Sequence, residues 1–230
     1  MILDFDYGHG GADSGANYKG RKESDDVLSL GKAVASEVRR HGVIVDEART
    51  SDVALNLSAR STFENKKNYD YFIAFHRNAF QPEKAQGVET FTYPHSSVKA
   101  KQLAAKVQSS LVEIGFVDRK LKEANFHVLR ETKSAAILVE VGFIDNTADN
   151  KLFDSKRNEI VKALAKAILA QCGVKYIDKI VKEIDKGNIV TAPKGHYYKI
   201  QVGAYSYKDN ADAESERINK LGVKAFVTLV

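Results

Sequence analysis

The sequence predicts an α/β fold: a mostly parallel sheet with helices on both faces, followed by a small C-terminal β-α-β unit. Three observations carry this expectation. Strand-like and helix-like patterns alternate as far as Cys172, as they do in sheets covered by helices. The runs YFIAF at 71–75 and AAILVE at 135–140 are almost continuously apolar, which implies strands buried on both faces. Past Gly173 the character changes to a charged helical pattern and then a Pro-Gly turn, so a second unit begins there.

Taken in order, ILDFD at 2–6 reads as the first strand and stops at the turn Tyr7-Gly8-His9-Gly10-Gly11. Val27, Leu30, Val34 and Val38 recur at helical spacing, and His41-Gly42 supplies a stop. VIVDE at 43–47 is a strand, and Leu55, Leu57 and Phe63 mark the start of another helix. After the strand at 71–75, residues 87–93 alternate like a further strand closed by Pro94. Residues 97–111 are helical, with Val98, Leu103, Val107 and Leu111 as the apolar stripe. Short strands are expected at 126–129 and 136–141, and Ile160, Leu164, Ile168 and Leu169 mark a last helix.

The domain boundaries follow: a catalytic domain at 1–173, a helical linker at 174–195, and a terminal unit at 196–230. The linker has Ile177, Ile180, Val181 and Ile184 on one helical face and ends in Thr191-Ala192-Pro193-Lys194-Gly195. The terminal unit reads strand (YYKIQVGAY), helix (209–221), strand (VKAFVTLV). A unit of that size cannot close its own core. It either docks on the first domain or pairs with a second copy, which would make a homodimer.

Composition narrows the function classes. Hydrophobic residues make up 43%, enough for a packed core. A net charge of +5 favours an anionic partner: nucleic acid, a membrane surface or an anionic cell wall. The charge is spread along the chain and Trp is absent, so no nucleic-acid partner is expected. Cys172 is the single cysteine, which excludes an intrachain disulfide and a cysteine metal site; it reads as a buried structural thiol. No apolar run approaches a membrane span, and the chain opens directly into a core strand rather than a signal sequence. The expectation is a protein made in the cytoplasm that needs another agent to let it out.

The chemistry concentrates at strand ends. His9 and His76 each follow a strand, and Glu140 ends a third. In open α/β sheets ligands collect at the carboxyl ends of the strands. Gly8, Gly10, Gly11 and Gly15 strip side chains from the first turn, so backbone can approach a bound group. The turn lacks the Lys-Ser/Thr ending of a phosphate loop, which disfavours nucleotide binding. His76 alone could be a strand cap. Glu140 is more telling, because a carboxylate closing a buried run costs several kcal/mol unless paired or next to a cation. Two imidazoles and a carboxylate suggest a hydrolytic metal site. Glu23, Asp25 and Asp26 are all placed to supply a further ligand, and pattern does not choose among them. Of the other histidines, His41 reads as a helix cap, His95 and His196 lie in turns, and His127 is the one able to face the site.

These residues also carry a resemblance. GHGGADSGA at 8–16, Lys22-Glu23, FHRNA at 75–79, NFHVLRET at 125–132 and AILVEVGFIDN at 136–146 resemble the zinc-dependent N-acetylmuramoyl-L-alanine amidases of the type 3 family. Those enzymes cut the amide joining the peptidoglycan glycan to its stem peptide. The resemblance implies Zn²⁺ held by His9, Glu23 and His76, with Glu140 as the catalytic carboxylate; it selects Glu23 over Asp25 and Asp26. Asn78 would orient ligands or substrate, or serve the scaffold. Tyr7 and Ala136 depart from the family, which often has Pro at both positions.

The tail resembles half of a sporulation-related (SPOR) repeat, a module that binds peptidoglycan. The partners implied are peptidoglycan and anionic wall polymers, with neither nucleic acid nor membrane. An amidase with such a unit resembles a phage endolysin or a mother-cell autolysin, acting on the wall after release. Two other readings use the same sequence: a zinc peptidase cutting within the stem peptide, and a non-catalytic wall-binding protein that keeps the fold.

Overall fold

The structure is a computed structural model that describes residues 1–178 together with Asp212, Ser215 and Glu216. Its elements in chain order are β1 (Ile2–Tyr7), β2 (Asn17–Tyr18), β3 (Arg21–Lys22), α1 (Glu23–Arg39), β4 (Ile44–Glu47), α2 (Leu57–Asn65) and β5 (Tyr71–Asn78). There follow β6 (Val88–Thr92), α3 (Val98–Ile114), β7 (Asp118–Glu123), α4 (His127–Arg130), β8 (Ala135–Phe143), α5 (Thr147–Ser155) and α6 (Arg157–Gln171).

The main sheet has six strands in the order β4-β1-β5-β8-β6-β7. β4, β1, β5 and β8 run parallel; β6 is antiparallel to β8, and β7 follows β6 in parallel. The α/β class and the mostly parallel sheet expected from sequence are therefore present. Helices α1, α3 and α6 cover one face, where Leu3, Phe5, Tyr7, Ile73, Phe75, Ile137 and Val139 meet Leu30, Val34, Val107 and Leu164. The other face is covered by α2 and α4, with Val128 and Leu129 against Phe72, Ala74, Ala136 and Leu138. Strand residues alternate strictly between the two faces, which is why a single apolar run serves both layers.

Several expectations are corrected. Residues 127–130 form α4 rather than a strand: Val128 and Leu129 lie on adjacent positions of one helical turn against the sheet. Val98 opens α3 fully at the surface, 71% exposed, so the buried stripe is Leu103, Ala104, Val107 and Leu111. β7 (DRKLKE) and α5 carry no apolar alternation and are found only in the fold. Cys172 is half-buried at the end of α6 rather than in the core.

Met1–Asp178 makes one compact unit. Residues 174–178 are not helical; they lay Tyr176 against α1, where its hydroxyl donates to Glu37 at 2.7 Å and its ring lies 4.7 Å from the His41 ring. Of the expected β-α-β unit only Asp212, Ser215 and Glu216 are described, and they are helical, within the helix expected at 209–221; the remainder of the expected linker helix and of that unit, with any pairing between copies, lies outside the described residues. No helix among the described residues is long and apolar enough to cross a membrane.

Candidate metal centre

The chain leaves β1 at Gly8, whose N–H donates to the Phe75 carbonyl at 3.0 Å, and turns sharply through His9 at φ 60°. Two buried arginines hold this turn. Arg49 donates to the carbonyls of Tyr7 (2.8 Å), Gly8 (2.9 Å) and Ser24 (3.0 Å). Arg60, reaching across from α2, donates to the carbonyls of Tyr7 and His9 at 2.7 Å and pairs with Asp6. Guanidinium groups satisfy several carbonyls at once, so a tight turn is fixed without a regular ladder. The loop then supplies the Ser14 and Ala16 carbonyls to the first N–H groups of α1, which has no side-chain cap.

Glu23 is the first residue of α1 and is 4% exposed. Its Oε1 lies 3.0 Å from His76 Nδ1, and its Oε2 lies 3.2 Å from His9 Nε2. The backbone N–H groups of Arg77 and Ala16 also donate to this carboxylate, each at 3.0 Å. Ligand atoms from His9, Glu23 and His76 all lie within 4.8 Å of one another. Asp25 is exposed, and Asp26 is occupied by Arg77 and Arg21, each at 2.6 Å. The geometry thus brings Glu23, and neither aspartate, to the histidines.

The glycines do something other than admit backbone to a ligand. A Cβ on Gly8 would sit 2.3 Å from the His76 ring. One on Gly15 would sit 2.5 Å from His9 Cδ2 and 2.6 Å from Glu23 Oε2. Both positions are bare because the side chains of the site fill that space.

His76 and Glu140 are register partners on β5 and β8, and Glu140 is also the partner of Glu89 on β6. Both strands continue past these residues, so the pair lies just inside the strand ends. Glu140 Oε2 is shielded from solvent and has no hydrogen-bond partner among the described residues. Burial first, and then the nearby Glu23 and Glu89 carboxylates against the opposing His76, push its pKa up to about 7. Burial opposes ionisation of Glu23 too, but hydrogen bonds and charge from His76 and His9 hold it far below the usual carboxylate range. His9 is pushed up to about 9: burial works against this, and Glu23 and Asp13 outweigh it. His76 is raised as well, through Glu23, against the same opposition from burial. The Glu23 carboxylate thus favours positive charge on the groups that face it.

The donor set fits zinc. Zinc in hydrolases takes histidine nitrogens and a carboxylate oxygen at about 2.0–2.2 Å and keeps one position open. Tetrahedral donors at that radius are about 3.4 Å apart, close to the His–Glu spacings of 3.0 and 3.2 Å. Asp13 takes His9 Nδ1 at 2.9 Å, the orienting contact that metal-bound histidines usually have.

Other histidines are elsewhere. His127 pairs with Ser61 at 3.2 Å, His41 caps α1 through the Glu37 carbonyl at 2.8 Å, and His95 sits in a turn at φ 63°. His196 lies outside the described residues. Asn78 accepts from the N–H of Ala79 at 2.8 Å. Arg49, Arg60 and Arg77 were not anticipated. Only Arg77 had a signal, an inward position in the alternation of a buried strand.

A family model described as N-acetylmuramoyl-L-alanine amidase matches residues 5–170. The chain is similar to the sporulation-specific N-acetylmuramoyl-L-alanine amidase of Bacillus subtilis (strain 168), with 31% identity over 97% of this chain and 83% of that protein. It is 37% identical to the endolysin of Bacillus phage SPP1, over 71% of this chain and 63% of that one. The crystal structure of an N-acetylmuramoyl-L-alanine amidase from Clostridium difficile 630 superposes with a TM-score of 0.72 at 29% identity, covering 76% of this chain and 97% of that one.

Proposed function

Because the chain belongs to the N-acetylmuramoyl-L-alanine amidases, hydrolases of peptidoglycan, we propose that it cuts its amide bond at a zinc centre held by His9, Glu23 and His76, with Glu140 moving the proton. The observation that carries this is the placement of Glu140: in register with His76, shielded, and with one oxygen uncommitted. When bound, zinc lowers the pKa of water and polarises the amide carbonyl. Glu140 then accepts the proton of the attacking water and returns it to the nitrogen of the leaving L-alanine. A buried carboxyl group, whose surroundings oppose its ionised form, is suited to both accepting and returning a proton. Arg49 and Arg60 keep His9 in its strained turn, and Asp13 orients its ring.

The C-terminal unit at 196–230 is proposed as a SPOR-like wall-binding element that can pair with its copy, with anionic wall polymers adding to retention. Similarity to a phage endolysin and to a sporulation amidase supports action on the wall after release.

The test is digestion of purified walls with mass analysis of the soluble products. New free N-terminal L-alanine on intact stem peptides is expected, and a chelator should suppress it. New reducing sugar ends would refute the amidase assignment, and cleavage inside the stem peptide would replace it with a peptidase.

A further inference from the structure

The side chains of His76, Glu140 and Glu89 form a row across one face of the sheet, on the adjacent strands β5, β8 and β6. Beyond Glu89 the row continues onto β7. Glu89 is 3% exposed and is held by Arg119 Nε on one oxygen and by Lys122 Nζ, at 2.8 Å, on the other. Past these residues, at the strand ends, a pocket of about 340 Å³ is lined by Asn78, Phe80, Lys84, Glu89, Arg119 and Phe143.

Its charge is unbalanced. The carboxylate lining the pocket is Glu89, against Arg119 and Lys84; Lys122 pairs with Glu89 from outside the lining, and Asp149 acts on Arg119 from beyond it. Arg119 uses only Nε on Glu89 and lies over the Phe143 ring, 4.9 Å from its centre. Its two terminal nitrogens have no partner among the described residues, although the side chain is 35% exposed and so open to a ligand. Lys84 makes no ion pair among the described residues. A guanidinium with both terminal nitrogens free is suited to a carboxylate. Phe80, 68% exposed, adds an apolar wall that solvent alone would not favour.

The pocket is also built rather than loose. The loop between β5 and β6 is tied to the turn after β8: Phe80 N–H donates to Asp145 Oδ2 at 3.0 Å, and Glu83 N–H to the Asp145 carbonyl at 2.9 Å. Gly87 N–H donates to Asp149 Oδ2 at 2.7 Å, and Glu83 in turn accepts from Thr147 N–H at 2.9 Å.

Resting on the amidase reading, we infer that this pocket is the subsite for the stem peptide, and that Arg119 and Lys84 bind the free carboxylate of the residue following L-alanine. Distance supports the assignment. Neighbouring strands are about 4.8 Å apart, so β7 lies roughly 10 Å from Glu140. Two extended residues span about 7 Å, and a carboxylate arm covers the rest. On the opposite side, Gly10 and Gly11 are packed against Val53 and Ala54, which closes that direction to a chain.

Two soluble muramoyl peptides test this, alike except that the residue after L-alanine carries a free carboxylate in one and a carboxamide in the other. Affinity is measured by calorimetry on the full-length, zinc-loaded protein carrying Glu140→Gln, so that nothing is consumed. The acid is expected to bind about tenfold tighter, the usual worth of a charge-assisted hydrogen bond. That ratio should fall toward one when Arg119→Gln or Lys84→Gln is added. Lys84 makes no ion pair among the described residues, so its variant reports even if Arg119→Gln disturbs Glu89. Equal affinities in the parent, or a ratio that survives both substitutions, would overturn the subsite. Wall digestion by the unmutated enzyme judges the amidase reading separately.

Discussion

Gly8 offers the sharpest single test of how the fold makes the site. Its φ lies outside the left-handed region, so alanine there costs nothing in backbone conformation. The cost is wholly steric: the new Cβ would meet His76 Cε1 at 2.3 Å and both ring nitrogens at 2.6 Å. Carbon atoms rest at about 3.5 Å, so the imidazole must retreat by roughly 1 Å. The ring is held from the other side by Glu23, and the strand behind it is fully buried. Displacement of a reacting constellation by that distance costs about 100-fold in rate, equivalent to about 3 kcal/mol of transition-state stabilisation. Gly8→Ala should therefore fold, show an unchanged far-UV spectrum, bind zinc more weakly and release wall peptides about 100-fold more slowly. Zinc content by elemental analysis and initial rates on purified walls check this. Wild-type rates and full zinc occupancy would show that His76 can move freely and that the glycine is not there for the ring.

Asp4 is fully buried with neither oxygen hydrogen-bonded among the described residues, and burial, then Asp6, Glu64 and Asp46, against Lys67, push its pKa up to about 8 from 3.8. A carboxyl whose folded pKa is raised favours folding while protonated. This contribution is intact below the unfolded value and is lost as pH climbs through the window up to 8. The shift corresponds to roughly 6 kcal/mol at most. Asp4→Asn should flatten the decline in urea midpoint between weakly acidic and weakly basic pH; parallel profiles for the two proteins would rule this out. Asp13→Asn removes the carboxylate that orients His9 and should weaken zinc binding about 10- to 100-fold, as read in a competition titration with a chelating dye. Gly31→Ala places a Cβ 2.0 Å from Tyr7 Cε1, where α1 crosses β1. It should lower stability by about 1–3 kcal/mol despite the better helix propensity of alanine, measured by chemical denaturation.

The site was more legible in the sequence than its supports. His9, His76 and Glu140 stand out because polar residues close apolar strands, a pattern fixed by the two-residue period of a strand. Glu23 was not distinguishable from Asp25 and Asp26 by position. Only the start of α1, which points the first residue inward and the third outward, separates them. Arg49 and Arg60 left no trace, since apart from the Asp6 carboxylate on Arg60 their partners are backbone carbonyls, which have no sequence signature. β7 was unreadable for a related reason: an edge strand with both faces polar has no alternation to see. The segment at 126–129 is too short an apolar run to separate a strand from a helical turn, and the fold makes it the turn. The antiparallel entry of β6 depends on the loop that also builds the pocket, and nothing local announces it.

The central claim divides roles between two glutamates, Glu23 as a zinc ligand and Glu140 as the proton carrier. Measuring zinc stoichiometry and wall cleavage together in Glu23→Gln and Glu140→Gln tests it most directly. Glu140→Gln should hold zinc as the wild type does and release no peptides, whereas Glu23→Gln should lose both metal and activity. Near-normal cleavage by Glu140→Gln, or undiminished zinc in Glu23→Gln, would contradict the division.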